Sequence, residues 1–185
     1  MIGLCACTHG PIKNVGFNSD IDLKRLDGTY EDTMESTPGK LGSLSSYIWK
    51  YTKSLESKGY VSLNSKDISI NYVNLTIDEY TVTLEAIGNS CIVARKIIEV
   101  DNQFYDGELE LMSSYSNISP VHIGPNYLKR TIGVDMAGDS KFRGLSRAGG
   151  LLFWFIPFAI FETWDYRINR LDDKIIFPEC EYIDS

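Results

Sequence analysis

The longest apolar run in the chain, Leu151 to Phe161, is interrupted only by Pro157. An alternating segment that ends in charge follows directly, so the stretch from Gly149 to Leu171 reads GGLLFWFIPFAIFETWDYRINRL. Such a run leaves water in one of three ways: into a core, into a membrane or against a partner. A membrane-spanning helix needs roughly 20 apolar residues, and this run has eleven. Proline cannot donate to a sheet ladder and belongs at an edge, bulge or bend. The alternation after Phe158 has the period of a strand. The stretch is therefore expected as the two arms of a closing hairpin, Leu151 to Ile156 and Phe158 to Arg170, or as one long strand bent at Pro157. Either way it reads as a core element whose aromatic side chains fill a domain or wall a pocket. A membrane-touching or partner-covered patch is the alternative.

The same period of two runs through the middle of the chain. Asp67 to Leu75 places Ile68, Ile70 and Tyr72 on one face, and Glu79 to Ile87 places Tyr80, Val82, Leu84 and Ala86 on one face. Cys91 to Val100, Phe104 to Met112, Tyr127 to Met136 and Ser140 to Ala148 follow, separated by short turns at Gly88-Asn89, Asp101 to Gln103 and Gly138-Asp139. Short turns between consecutive strands make antiparallel neighbours. One segment breaks this period. From Ser43 to Lys58, Leu44, Tyr47, Ile48, Tyr51 and Leu55 form one apolar stripe, Ser43 stands at the N-cap and Gly59 follows the end, which predicts an amphipathic helix. Thr33 to Gly42 and Ser113 to Asn126 read as connections. The expected fold is mainly β: an antiparallel meander barrel with one helix, or a two-sheet sandwich, since both produce the same alternation. Residues 1–22 read as an irregular leader or tether, 23–171 as a single β domain and 172–185 as a tail with little pattern.

Composition narrows the function classes. A net charge of −7, with the basic residues scattered, disfavours phosphate backbones and so excludes nucleic acid as the expected partner. Cys5, Cys7, Cys91 and Cys180 form neither a disulfide framework nor a zinc ribbon, and Cys91 reads as a small buried apolar residue. His122 stands in a presumed loop without nearby ligands. Glu162, Asp165 and Arg167 around Trp164 read as a solvated charge ladder rather than an acid–base pair. Neither a nucleophile elbow, a zinc-protease helix motif nor a Walker loop is present. The chain is expected to be non-enzymatic, without metal or cofactor.

Leu4-Cys5-Ala6-Cys7 fits the lipobox of bacterial lipoproteins, in which a small residue precedes the Cys that receives lipid. Only Met1 to Leu4 stand before it, less than the apolar segment of a signal peptide, so a cytoplasmic location holds if the match is chance. Further along, Leu26-Asp27-Gly28-Thr29-Tyr30 resembles the opening of lipocalin-like domains. IVARKIIEVDNQFYDGELEL and TIGVDMAGDSKFRGLSRAGGLLFWFIPF…WDYRI resemble strand pairs of small Gram-negative envelope lipoproteins of uncharacterised function. The resemblance spans roughly Leu26 to Leu171. It implies a lipocalin-like barrel facing the periplasm, touching the membrane only through a lipid on Cys7. Its aromatic interior, Trp154, Phe153, Phe155, Trp164 and Tyr166, then packs solid or encloses a small apolar molecule. The competing expectation is a periplasmic immunity protein that neutralises a toxin by direct binding, for which small size and acidic charge are suited.

Overall fold

Alternating segments become strands where one of their two faces has a core to cover. The computed structural model describes residues 3–11, 13–37, 41–49, 69–100, 103–118, 122–152 and 156–180, with backbone alone for 3–8, 112–118, 122–123, 152 and 156. In chain order the elements are β1 (Gly3–His9), a 3-10 turn (Leu23–Leu26), β2 (Gly28–Glu35), β3 (Leu41–Ser43), α1 (Leu44–Trp49), β4 (Ile70–Ile77), β5 (Thr81–Gly88), β6 (Cys91–Glu99), β7 (Phe104–Tyr105), β8 (Glu108–Ile118), β9 (His122–Val134), β10 (Ser140–Leu152) and β11 (Ile156–Arg170). The strands form one sheet ordered β6-β5-β4-β2-β11-β10-β9-β8-β7, with β3 beside β2 and β1 beside β11. Every pair is antiparallel except β1 with β11. One edge of β11 is shared: β1 pairs along Phe158 to Trp164 and β2 from Arg167 to Arg170.

The protein is thus mainly β, and its sheet is open: among the described residues no ladder joins β6 to β7 or β8. The sheet nevertheless curls around one core. Tyr30 and Met34 of β2, Val73 and Leu75 of β4, Val82 and Leu84 of β5, Ile98 of β6, Leu109 of β8, Ile132 of β9, Phe142 of β10 and Ile168 of β11 lie in a single cluster with Leu44 and Ile48 of α1. Helix α1 starts as the sequence predicts: Ser43 Oγ accepts from Ser46 N (3.1 Å), and the Asp32 carboxylate takes Ser45 N (2.6 Å). The rest of the expected helix, from residue 50, lies outside the described residues.

Several expectations are corrected by tertiary pairing. The leader is not irregular throughout, because Gly3–His9 adds a parallel strand to β11. Thr33 to Gly42 is not simply a loop, since β2 runs to Glu35 and β3 starts at Leu41. Ser113 to Asn126 is no long connection. It continues β8 and β9 into a long hairpin, and Gly124 and Pro125 sit where the ladders on both sides of β9 are interrupted. His122 therefore opens a strand. Tyr80 and Tyr105, read as inward-facing, are 64% and 75% exposed because each stands at the end of its strand. On β4 the core face is Val73, Leu75 and Ile77, one residue out of phase with the expected set.

The tail corrects two further expectations at once. It carries no period because it makes no strand, yet it is strapped across β2, β4 and β6. Ile175 N donates to Thr29 Oγ1 (2.9 Å), Asn74 Nδ2 donates to the Ile175 carbonyl (2.9 Å), Phe177 stacks on Tyr72, and Ile92 N donates to the Pro178 carbonyl (2.8 Å). Cys91 is not a free buried thiol: it forms a disulfide with Cys180, the two Cα atoms 5.0 Å apart.

Candidate functional site

Strand register decides which side chains share a face. On β10 and β11 the pairs Arg143↔Asp165, Arg147↔Phe161 and Leu151↔Pro157 lie on the outer face, and Phe142↔Tyr166, Gly144↔Trp164 and Ala148↔Ile160 on the inner one. The apolar run therefore divides between two faces, and neither fully buries its described side chains. Leu151, Ile160 and Phe161 are 42%, 43% and 45% exposed. For these residues the expectation of a core strand fails because the long hairpins β8–β9 and β10–β11 extend past the core, whose last described inner-face members on β10 and β11 are Phe142 and Tyr166. Phe153, Trp154 and Phe155 lie outside the described residues.

Trp164 and Tyr166 do point inward. Trp164 lies against Gly144, where a Cβ would come within 2.7 Å of the indole. The Tyr166 hydroxyl hydrogen-bonds the Tyr47 hydroxyl (3.0 Å). The rings of Tyr47, Phe142 and Tyr166 contact one another at 5.4–6.4 Å between centroids. Burial first, and the bond to Tyr47 second, push the Tyr166 hydroxyl up to about 12. Arg130, also buried, donates to the Tyr47 carbonyl (2.6 Å) and lies over its ring. These aromatics pack against each other, with a cation among them. Neither of the two clefts described below is lined by Trp164 or Tyr166.

The outer face carries a buried charge cluster. Asp165, 1% exposed, takes a two-pronged bond from Arg143 (2.8 and 3.0 Å), a bond from Asn14 Nδ2 (2.8 Å) and the Lys141 ammonium at 3.5 Å. Lys141, also 1% exposed, donates to the Val15 carbonyl and to Asn14 Oδ1. Arg143 reaches Glu108 as well (3.3 Å), and Phe17 lies between the two cations, 4.6 Å from the Lys141 amine and 4.7 Å from the Arg143 guanidinium. Burial pushes the Asp165 carboxyl up, but the bonds from Arg143 and Asn14 and the two neighbouring charges outweigh it and hold the carboxyl below the ordinary range. Burial, aided by Arg143, draws the Lys141 amine down against the pull of Asp165. The expected solvated ladder is thus a sealed ion cluster, with Arg143 rather than Arg167 as its partner; Arg167 pairs with Asp139 (3.2 Å). A carboxylate locked in this way is a poor proton donor or acceptor at neutral pH. Its role is to clamp the leader onto β10 and β11.

Lys96 is a further chemically unusual group that sequence reasoning passed over. It sits on β6 opposite Leu84, in line with the buried Ala94 and Ile98, and is only 4% exposed. Among the described residues no acceptor meets its amine, and burial pushes it down to about 8. The signal was present: period two through Ile92, Ala94, Lys96 and Ile98 puts the lysine inward. Lys96→Met is expected to stabilise the fold by about 1–2 kcal/mol at pH 7, because it removes an amine whose partial burial disfavours its charged form. Between pH 8 and about 10 the unfolded chain holds this proton while the native state has lost it, so native stability rises with pH across that window. The advantage of Lys96→Met should therefore shrink from pH 8 to pH 10 in urea unfolding. Above about pH 10 the tyrosines Tyr30 and Tyr166, both pushed up to about 12, act in the opposite direction.

Among the described residues, two of the clefts open to solvent stand out. The larger, about 840 Å³, lies between the leader, β2, the β9–β10 turn and the end of β11. Asp20, Asp22, Glu31 and Glu35 line it without an ion-pair partner among the described residues, beside Arg25 and Arg170. The second, about 290 Å³, is a groove on the outer face with Lys129, Arg143, Arg147 and Glu108. Cys7 stands in β1 opposite Glu162, next to the apolar part of β11. Among the described residues no group of three His, Cys, Asp or Glu side chains is placed to hold a metal ion, and no helix is long and apolar enough to cross a membrane. Comparison with protein-family models, with curated proteins and with solved structures finds no match to this chain.

Proposed function

We propose that this protein is a non-enzymatic binding module of the bacterial cell envelope, tethered by a lipid on Cys7 and built on a lipocalin-like barrel that is left open between β6 and β8. The observation that carries the reading is the Cys91–Cys180 disulfide. Such bonds form and persist in oxidising compartments such as the periplasm and are rare in a reducing cytoplasm. The barrel reading is supported by strand order: the first and last strands of the meander, β2 and β11, are neighbours, and both flanks contribute to one core. The Gly28-Thr29-Tyr30 start of β2 is held by Arg170 of β11, which donates to the carbonyls of Arg25 and Asp27 (2.9 and 2.6 Å). A small apolar molecule would be held on the inner wall beside Trp164, since Tyr166 is already packed against Tyr47 and Phe142.

The test is the intact mass of the protein extracted from its native host. A diacylglycerol-modified Cys7 as first residue is expected. Recovery of Met1 with an unmodified Cys7 overturns the anchor, and recovery of Cys91 and Cys180 as free thiols overturns the compartment. Processing at Cys7 would strip Gly3 to Ala6 from β11 and leave the acyl chain level with Glu162.

The large cleft favours a second reading, an immunity protein. Its four carboxylates without an ion-pair partner among the described residues, Asp20, Asp22, Glu31 and Glu35, offer a basic partner complementary charge. Under this reading a basic protein co-purifies from the host and is released by Glu31→Lys with Glu35→Lys.

A further inference from the structure

Three cations, Lys129, Arg143 and Arg147, line the smaller, outer-face groove of a protein whose net charge is −7. Register brings them together. Leu145 pairs with Lys129 of β9 on one side and with Thr163 of β11 on the other. Arg143 and Arg147 precede and follow it by two residues on β10, so these side chains share one face, spaced by roughly 6.8 Å along the strand and roughly 4.8 Å across it. Leu145 forms the floor, and the polar side chains stand around it. Their donors are largely unspent. Arg143 gives two N–H groups to Asp165 and one to Glu108, which leaves two of its five. Its guanidinium is also held in place, between the Asp165 carboxylate and the Phe17 ring at 4.7 Å. Lys129 spends one donor on Glu110 (3.3 Å). Arg147 is exposed and has no ion-pair partner among the described residues. Glu108 is the one carboxylate in the lining, and Asp165 behind it is shared between Arg143 and Lys141.

We propose that this groove binds a phosphate group carried as a monoester by a small molecule. A carboxylate presents two coplanar oxygens, which a single arginine fork satisfies, and the Arg143 fork is already taken by Asp165. A phosphate monoester presents three terminal oxygens and close to two charges. That matches donors that converge from several sides: Arg143 and Arg147 along the strand, Lys129 and the Thr163 hydroxyl across it. The groove, about 290 Å³, is larger than a bare phosphate needs and leaves room for a short carbon chain over Leu145. The acidic surface elsewhere matters little to such a ligand. At about 150 mM salt the screening length is roughly 8 Å, so a single phosphate answers to the cations around it. A nucleic-acid backbone would extend past the groove onto that surface and stays disfavoured. The same chemistry can arrive on a soluble ester or on a phospholipid headgroup. The inference rests on neither the Cys7 anchor nor the apolar inner wall.

The experiment is calorimetric titration of the purified full chain with glycerol 3-phosphate, beside co-sedimentation with phosphatidylcholine vesicles that carry phosphatidic acid, both at about 150 mM sodium chloride. Saturable binding is expected, with amide shifts at Leu145 and Thr163 in NMR spectra. Arg147→Ala should weaken it about tenfold, the scale of one charge-assisted hydrogen bond, and Arg147→Glu should abolish it. Glu108→Gln removes the carboxylate of the groove and keeps an acceptor for the Thr131 hydroxyl, so it should tighten binding a few-fold. Arg25→Ala removes a cation from the larger cleft and should change nothing. Arg147 and Arg25 are both exposed, so neither change threatens the fold. Binding of glycerol 3-phosphate identifies a soluble ester as the source. Binding to the vesicles alone, lost in Arg147→Glu, identifies a lipid headgroup. The proposal is overturned if neither probe binds, if Arg147→Glu binds as well as the wild type, or if Arg25→Ala is the variant that loses binding.

Discussion

Asp165→Ala is expected to cost about 3–5 kcal/mol of folding stability, the scale for breaking a buried ion pair from one side. Among the described residues the carboxylate is the only counter-charge within 4 Å of Lys141, and Arg143 would be left with Glu108 alone. Asn14 would lose its acceptor, so the leader should loosen from β10 and β11. Urea unfolding reads the first effect, and faster proteolysis between Gly10 and Ser19 reads the second. Lys141→Met provides the contrast. It removes the most buried cation but leaves Asp165 in the Arg143 fork, so its cost should fall well below that of Asp165→Ala, and adding it to Asp165→Ala should recover part of the loss. A cluster that is solvated, contrary to its burial, would show both changes within about 1 kcal/mol. The pH dependence has a definite sign. Asp165 is held below the ordinary carboxylate range, so its contribution is complete above the unfolded value near 4 and is lost as pH falls from there through the native value.

The second large effect is at the tail. Cys180→Ser, or reduction of the wild type, is expected to cost about 2–4 kcal/mol. The bond closes a loop of 89 residues in sequence separation, so it constrains a long stretch of the unfolded chain. Its loss should also free the strap. Thr29 and Asn74 are buried polar groups, and the Thr29 hydroxyl and the Asn74 amide each use Ile175 as a hydrogen-bond partner. Hydrogen exchange at Ile175 and Ile92 should accelerate in Cys180→Ser, while the Asp165 cluster on the other flank stays protected. A melting temperature unchanged by reductant would show that the strap holds without the bond.

These two features show where sequence reading reaches and where it ends. Val82, Leu84 and Ala86 alternate with Thr81, Thr83 and Glu85, and the strand forms with that face inward, because the period of side chains along a strand is a local property. The turns are local too. Asn89 and Ser90 take positive φ between β5 and β6, one residue beyond the expected Gly88-Asn89, and Asp106 and Gly107 take positive φ between β7 and β8, a two-residue hairpin that Asp-Gly favours and that divides the strand expected from Phe104 to Met112. At Gly107 a Cβ would lie 2.0 Å from the Asn18 carbonyl, so there the leader adds a steric demand to the turn's own.

Asp165, Lys141 and Asn14 carry no such mark. Asn14 and Asp165 are 151 residues apart in sequence, and a charged residue on a strand reads as solvated unless something is known to cover it. The cover is Phe17 and the leader, a segment without period. The Cys91–Cys180 pair was hidden in the same way, since four cysteines without a repeating spacing do not name their partners. The site residues divide along this line. Trp164 and Tyr166 face inward as their alternation implies, but their contacts with Gly144 and Tyr47 come from β10 and from α1.

The apolar run shows the division most directly. Its sequence alone determined that it would be strand rather than spanning helix, because length and alternation are local facts; the reversal expected at Pro157 instead falls between Leu152 and Ile156, which pair, and Pro157 lies within β11. Whether those strands would be buried was not local. It depended on how far the hairpins β8–β9 and β10–β11 reach beyond the shorter strands β4, β5 and β6, whose side chains supply the opposing wall of the core. Burial needs a second surface, and the sequence of one hairpin holds no record of where that second surface ends.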